Sequence, residues 1–397
     1  MGTTQKVKRP IPLSTNYAVA HAAKDLDVDV VAAYPITPQT TVVEKISEFV
    51  ANGELDAEFI HVESEHSAMS ATIAAALSGA RAFTATAAQG LALMHEMLYI
   101  AAGLRAPAVM SVAMRALSAP ISIWNDQSDI FGSRDSGWVI YFVHTAQEAY
   151  DTVIQAYRLA EDPDVLLPVM VAYDGYVMSH TTEPVVTEER DDVLGFAPKR
   201  QYPYKLDPDR PVTIGTIVPP EYFYEIKYQQ VHAIGTSLGK AEDVDREFGK
   251  AFGRSYGTME CYLCDGAEAL IMANASYAAT LKSVLPEAWK QGMKVGLLRL
   301  RLYRPFPLKE FVEHTSNVKS LLVIDRSISY GAPYQGPLAN EIAGVKVKED
   351  LGFNMASVVA GIGQRAMENE DFLALARIAW EARTRKLPET IFYGVRE

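Results

Sequence analysis

Cysteine is almost missing from this chain: two in 397 residues, Cys261 and Cys264, in the run Cys-Tyr-Leu-Cys. A structural zinc or an iron-sulfur cluster takes about four thiolate or imidazole ligands, and neither a second CxxC nor a paired histidine lies nearby. The expectation is no bound metal and two reduced thiols in a cytoplasmic protein. Long apolar runs are missing too, none approaching the roughly 18 residues that span a bilayer. Met1-Gly2-Thr3-Thr4-Gln5-Lys6-Val7-Lys8-Arg9-Pro10 has basic residues with no apolar stretch behind them, so no secretory leader is expected. Basic charge is the minority, 37 Lys and Arg against 49 Asp and Glu for a net charge of -12. With no Lys/Arg cluster interleaved with aromatics, that balance repels phosphate backbones and excludes nucleic acid.

Apolar surface is plentiful: 49% hydrophobic and 10% aromatic residues match an ordinary folded globular protein. A length of 397 exceeds what one core usually fills, so two domains are expected. Ser14 stands as a cap before an alanine-rich helical pattern reaching Asp25, and Val28–Ala33 is an apolar run of strand length. The rhythm repeats through helix Thr40–Ala51, strand Glu58–Val62, helix Glu65–Ser78, strand Ala82–Thr86, helix Leu91–Ala102 and strand Ala108–Ala113. It ends with Trp138–Val143, Ala146–Ala160 and Leu166–Ala172. Such alternation predicts an α/β fold, a parallel sheet covered on both faces over residues 1–180. In such sheets functional groups gather in the loops beyond the carboxyl ends of the strands. From 181 to 260 the pattern breaks, with prolines at 184, 198, 203, 208, 211, 219 and 220 and many charges. This predicts a connecting segment with about one helix. Alternation resumes over 261–397 as a smaller α/β domain.

Each strand end in the first domain offers chemistry and also a plainer reading. The turn Tyr34-Pro35-Ile36-Thr37-Pro38 has two prolines fixing φ and holds Thr37 as a hydroxyl on a rigid corner; a stiff turn without a ligand fits equally. Val62-Glu63-Ser64-Glu65-His66-Ser67 sets two carboxylates at a helix mouth, where an acid is often only a cap or dipole partner. Thr84-Ala85-Thr86-Ala87-Ala88-Gln89-Gly90 is small enough for a ligand to approach closely. Arg115, just past a buried strand, suits a carboxylate held by two parallel hydrogen bonds, or a surface ion pair. Four such ends on one sheet edge predict a pocket. Trp124-Asn125-Asp126 and Asp129 either line its mouth or, for the aspartates in preference, cap local turns. His66 and His95 are expected to pack, Met94 and Met97 to be core, and Tyr202, Tyr204 and Pro219–Tyr224 to suit a subunit contact.

Taken together, the Tyr-Pro-Ile-Thr-Pro turn, Val62–Ser67, Phe83–Met97 and Arg115–Asp129 resemble the alpha subunits of the 2-oxoacid:ferredoxin oxidoreductases, the pyruvate branch fitting best. Phe49–Phe59 and Arg299–Pro307 extend the likeness over nearly the whole chain. The resemblance implies a thiamine-diphosphate-binding fold, with a pyrimidine-type first domain and a transketolase C-terminal-like second one. It implies oxidative decarboxylation of pyruvate with coenzyme A to acetyl-CoA, carbon dioxide and reduced ferredoxin. Glu65 matches the glutamate that hydrogen-bonds the aminopyrimidine ring, with Glu63 the lesser candidate; Arg115 matches the residue pairing with the substrate carboxylate, and Thr37 the one hydrogen-bonding it. Pro35 and Gln89 fall at the cofactor rim.

The family's Gly-Asp-Gly segment, which anchors the diphosphate through a divalent metal, does not occur in this sequence. The resemblance therefore implies that a beta subunit holds metal and diphosphate, and that gamma and delta subunits carry the iron-sulfur clusters toward ferredoxin. Two departures stand out: Met272-Ala273-Asn274-Ala275-Ser276 where relatives favour a glycine-containing turn, and Ala88 where many carry serine. Three other readings remain: the same family acting on another 2-oxoacid, a silent assembly subunit, and the beta-type chain of a lipoamide-linked dehydrogenase. Thr37 with one arginine suits a monocarboxylate. Intact Thr37, Glu65 and Arg115 speak against a silent chain.

Overall fold

A computed structural model describes residues 9–200, 202 and 204–396. Most of the segment that bears on a leader, residues 1–8, and Pro203 lie outside them. Strand β1 (Ile11–Ser14) leads into helix α1 (Thr15–Asp25), where the Ser14 side chain caps the first turn by accepting the Tyr17 N–H at 3.3 Å. The alternation follows: β2 (Val30–Ala33), α2 (Thr40–Ala51), β3 (Glu58–His61), α3 (Glu65–Leu77) and β4 (Ala82–Thr86). Two short helices then stand where one was expected, α4 (Ala88–Leu93) and α5 (His95–Gly103). After them come β5 (Val109–Met114), α6 (Ser128–Gly132), β6 (Val139–Phe142), α7 (Ala146–Ala160) and β7 (Val169–Asp174).

The proline-rich stretch contributes β8 (Thr182–Val185), antiparallel to β1, then α8 (Arg190–Phe196) and the 33-residue α9 (Pro220–Phe252). Proline at its start and left-handed Gly253 at its end delimit α9. Ala233, Ser237, Ala241, Val244 and Phe248 form its buried stripe, while Tyr222, Phe223 and Tyr224 are exposed. The remainder is β9 (Met259–Tyr262), β10 (Ala269–Ala273), α10 (Ala275–Lys290), β11 (Val295–Leu300), β12 (Leu302–Arg304), α11 (Leu308–Thr315), β13 (Ser320–Asp325), α12 (Pro337–Lys348), β14 (Asn354–Ala360), α13 (Asn369–Glu381) and β15 (Ile391–Tyr393).

Two sheets organise these elements. The first has the order β12-β6-β7-β5-β4-β2-β3 and the second β15-β14-β13-β10-β11-β9. Both are parallel except at one edge each, β12 and β9. Every residue of β4, β5, β6 and β7 is buried, as a sheet covered on both faces requires.

The sheets are not independent bodies. β12 follows β11 directly but pairs with β6, Leu302 opposite Tyr141, so the later half of the chain closes the edge of the first sheet. Met110, Met170 and Phe142 of one sheet share an apolar cluster with Leu270, Leu298 and Leu321 of the other. Fully buried Glu148 of α7 receives Arg299 at 2.8 Å and Arg301 at 2.8 Å. At the strand ends, Asp174 meets Arg326 at 2.6 Å and Gln127 donates to Asn274 at 2.7 Å.

Cys261 and Cys264 are joined in a disulfide, which corrects the expectation of two free thiols. Leu263 at φ 54 turns the chain back after β9 and sets the two Cα atoms 5.8 Å apart, inside the reach of such a bond. Among the described residues no helix is long and apolar enough to cross a membrane.

Candidate active site

The site forms where β2, β4, β5 and β7 end. Glu65 opens α3, whose N-terminus is capped by the Ser64 side chain accepting from the Ser67 N–H. Only 7% exposed, Glu65 accepts no hydrogen bond from a side chain among the described residues, and burial pushes its carboxyl above the usual range. Glu63 is the opposite: exposed, and held below the usual range by the Ser67 hydroxyl. The carboxyl that an enclosed ligand would meet is that of Glu65.

Gly90 explains how Glu65 fits. A Cβ on Gly90 would lie 2.4 Å from Thr86 Oγ1 and 2.7 Å from Glu65 Oε1, so any side chain there would evict the carboxyl. Around this point, Thr86 Oγ1 and both amide atoms of Gln89 are buried with no hydrogen-bond partner among the described residues. Buried polar groups are rarely left so. Thr86 Oγ1 lies beside Glu65 at Gly90, Gln89 is the residue next to it, and a flat heterocycle with ring nitrogens and an exocyclic amine supplies both donors and acceptors. The residues present therefore fit the aminopyrimidine of thiamine diphosphate.

Arg115 follows β5 and is buried. Its Nε donates to the Ser122 carbonyl at 3.0 Å and its Nη1 to the Thr37 carbonyl at 2.9 Å, while Nη2 has no partner among the described residues. Two of five N–H donors are thus spent on backbone, leaving the outer nitrogen for a ligand. Thr37 itself is exposed, and its hydroxyl makes no hydrogen bond among the described residues. The corner carrying it is tightly seated. Asn16 donates to the Pro38 carbonyl at 2.8 Å, Gln39 to the Tyr34 carbonyl at 2.9 Å, and a Cβ on Gly175 would strike Pro38 and the Met114 carbonyl. Pro35 is exposed on the same corner.

Asp126 caps its local turn, taking the Ser128 N–H at 2.9 Å and the Ser128 hydroxyl at 2.6 Å. Asp129 does not. It reaches out of α6 to the ends of β4 and β5, and burial raises its carboxyl to about 7. Trp124 is half exposed and lies over Tyr176, ring centroids 4.6 Å apart. Beside it, a cleft of about 880 Å³ separates the 116–135 region from the loops after β13 and β14. His66 and His95 are surface residues rather than packers, His66 pairing with Glu96 at 3.6 Å and His95 edge-on to Tyr99; α3 and α5 turn those positions outward. Met94 is core, as expected, while Met97 is only partly buried against that cluster.

Both departures fall on strained backbone: Ala88, and Ala275 within the 272–276 turn, lie at φ 43 and 46, in the left-handed region that glycine enters freely and alanine does not. What the sequence did not reveal was Asp129's reach and the seam Asp174–Arg326, Gln127–Asn274, because each joins residues at least fourteen apart along the chain, most of them over a hundred.

Strand-end loops of a parallel sheet around the buried Glu65 carboxyl, with a second α/β domain packed beside them, make a candidate site on a thiamine-binding type of fold. Residues 21–245 match the family described as pyruvate flavodoxin/ferredoxin oxidoreductase, thiamine diphosphate-binding, and residues 267–372 match pyruvate:ferredoxin oxidoreductase core domain II. Pyruvate synthase subunit PorA of Methanocaldococcus jannaschii is 47% identical over 386 residues, 96% of either chain. Its counterpart in Thermotoga maritima is 44% identical over 92% of this chain and 93% of its own. Ketoisovalerate oxidoreductase subunit VorA of Pyrococcus abyssi is 43% identical over 92% of both. Among solved structures, the 2-oxoglutarate:ferredoxin oxidoreductase from Magnetococcus marinus, with 2-oxoglutarate, coenzyme A and succinyl-CoA bound, superposes with a TM-score of 0.74 at 19% identity, covering 96% of this chain and 67% of that one. A split-gene transketolase in its inactive beta4 tetramer gives 0.56 at 12% identity over 94% and 99%. These two share the fold. The chain belongs to the pyruvate:ferredoxin oxidoreductase family and is an alpha-type subunit of it.

Proposed function

We propose that this chain, with partner subunits, catalyses the reversible, coenzyme A-dependent oxidative decarboxylation of pyruvate in the cytoplasm, passing the electrons to ferredoxin. The observation that carries this reading is the Glu65 carboxyl, buried against Gly90 with no side-chain donor among the described residues, near buried Thr86 and Gln89 polar atoms that have no hydrogen-bond partner there. Thiamine diphosphate, when bound, supplies the nucleophilic carbon and the electron sink that decarboxylation of a 2-oxoacid requires. Glu65 holds a proton at its carboxyl opposite a ring nitrogen and exchanges it, and burial, which raises the carboxyl, favours its holding that proton. Gln89 and Thr86 orient the ring edge, and the Pro35 corner closes one side. Arg115 Nη2 draws in the substrate carboxylate, and the Thr37 hydroxyl donates to it.

A beta subunit would hold the diphosphate and its divalent metal, because this sequence has no Gly-Asp-Gly segment. Gamma and delta subunits would carry the iron-sulfur clusters. Pyruvate is favoured over a dicarboxylate because one arginine and one neutral hydroxyl flank the site. The test is anaerobic purification of the chain with its natural partners, followed by coenzyme A-dependent viologen reduction with pyruvate, 2-oxobutyrate, 3-methyl-2-oxobutanoate and 2-oxoglutarate in parallel. Pyruvate should give the highest kcat/KM. Preference for the branched acid would move the substrate assignment to the ketoisovalerate side, and no turnover with any acid would favour a silent assembly subunit.

A further inference from the structure

One carboxylate oxygen sits between the cofactor side and the substrate side of the site. Asp129 Oδ2 accepts the Ala88 N–H at 2.9 Å and the Arg115 N–H at 3.0 Å, while Oδ1 accepts the Ile130 N–H at 2.8 Å. Ala88 is the residue before Gln89 and two before Gly90, which shapes the Glu65 cradle; Arg115 carries the guanidinium. The side chain comes from α6, an element belonging to neither strand, and is 2% exposed.

From this geometry we infer that Asp129 is a positioning residue that sets the cofactor-side turn and the substrate arginine relative to each other by holding both backbone N–H groups on one oxygen. It touches neither ligand. Ala88 has a left-handed φ of 43, which alanine adopts only under constraint, and the Asp129 hydrogen bond is that constraint. Without it the turn relaxes toward negative φ, swinging Gln89 and Gly90 away from Glu65. At the other end, the Arg115 backbone loses the anchor that fixes where its side chain departs. A carboxyl group suits the task because its two oxygens together can accept from all three converging N–H groups. Asparagine offers one acceptor oxygen and turns an NH2 toward a donor.

The inference rests on the reading of Glu65 and Arg115 above, so both are measured beside it. In the assembled complex, Asp129→Asn and Asp129→Ala should raise the apparent dissociation constant for thiamine diphosphate and the KM for pyruvate, each about tenfold or more for Ala and less for Asn, consistent with losing buried hydrogen bonds. Two observations separate positioning from mere stability. Ala88→Gly tolerates the left-handed turn unaided, so in the Asp129→Asn background it should restore much of the thiamine diphosphate affinity while leaving the pyruvate KM high. Thermal midpoints of the complexes should not track either constant. If the Asp129 variants keep wild-type affinity and KM while Glu65→Gln and Arg115→Ala are impaired, the positioning role is wrong and the site reading stands. If Glu65→Gln and Arg115→Ala are themselves normal, the site reading falls first. Failure of both Asp129 variants to assemble would make Asp129 a folding residue and overturn the inference.

Discussion

Glu63 and Glu65 are two residues apart and meet opposite surroundings. One is exposed beside the Ser67 hydroxyl, which lowers its carboxyl; the other is buried against Gly90, and burial raises it. Glu65→Gln should therefore cut kcat by about 10²–10⁴, the range for losing an acid-base partner, with the complex still assembled. Glu63→Gln makes the control, and equal activity in the two variants would remove Glu65 from the chemistry. Arg115→Ala should raise the pyruvate KM about a hundredfold and leave thiamine diphosphate binding within a few-fold, as expected for removing one charged ligand contact; a normal KM would place the carboxylate elsewhere. Asp25 illustrates a buried acid outside the site. Burial lifts it from 3.8 to about 6 although Tyr150 donates to it at 2.7 Å. Because the folded value lies above the unfolded one, the penalty for ionising Asp25 is absent below pH about 4 and complete above about 6, and amounts to roughly 3 kcal/mol. Wild type should thus gain stability relative to Asp25→Asn as pH falls from 7 to 4.5. Denaturant unfolding of both proteins at the two pH values would show it, and a constant difference would contradict it.

Among the elements, α7 and the β11–β12 link are the joint of the molecule. Glu148 stays ionised because Arg299, His144 and Arg301 hold it well below the usual carboxylate range in spite of burial, both arginines being essentially buried. The arginines have further partners, Glu260 at 3.0 Å for Arg299 and Gln155 at 2.8 Å for Arg301, so the joint is a network rather than a pair. Glu148→Gln would leave two guanidinium groups buried without their shared counter-charge, at a cost of about 3–5 kcal/mol. A loss under 1 kcal/mol in denaturant unfolding would mean that the remaining partners suffice. Most of the helices and parallel strands were legible as periodicity, down to the Ser14 cap. The edge strands β1, β8, β12 and β15 were not. Three or four residues paired with distant segments have no period to read, and Leu302–Arg304 directly continues the pattern of β11 while joining another sheet.

In the whole molecule, the interleaved β12, the shared apolar cluster and the buried network make the two α/β units one body, so the strand-end loops of the first face the cleft against a fixed neighbour. On the proposed function, the chain supplies one side of a thiamine site. Given thiamine diphosphate, magnesium, pyruvate and coenzyme A, the isolated chain should reduce no viologen above background, and adding the partner chains should restore turnover. Unaided turnover would end the half-site reading.

The order of most helices and strands and the sheet edge that gathers the candidate site follow from local pattern, a property of short stretches, and the choice of Thr37, Glu65, Gln89 and Arg115 follows from the family resemblance those stretches carry. The lack of cluster ligands and of a Gly-Asp-Gly segment is legible in the same way. Other features required the folded chain. Burial distinguishes Glu65 from Glu63, a turn at Leu263 brings the two cysteines together, and the reach of Asp129 depends on where α6 lies against β4 and β5. Each is a contact between segments whose separation in sequence says nothing of their distance in space, and burial, hydrogen bonding and pKa all depend on that distance.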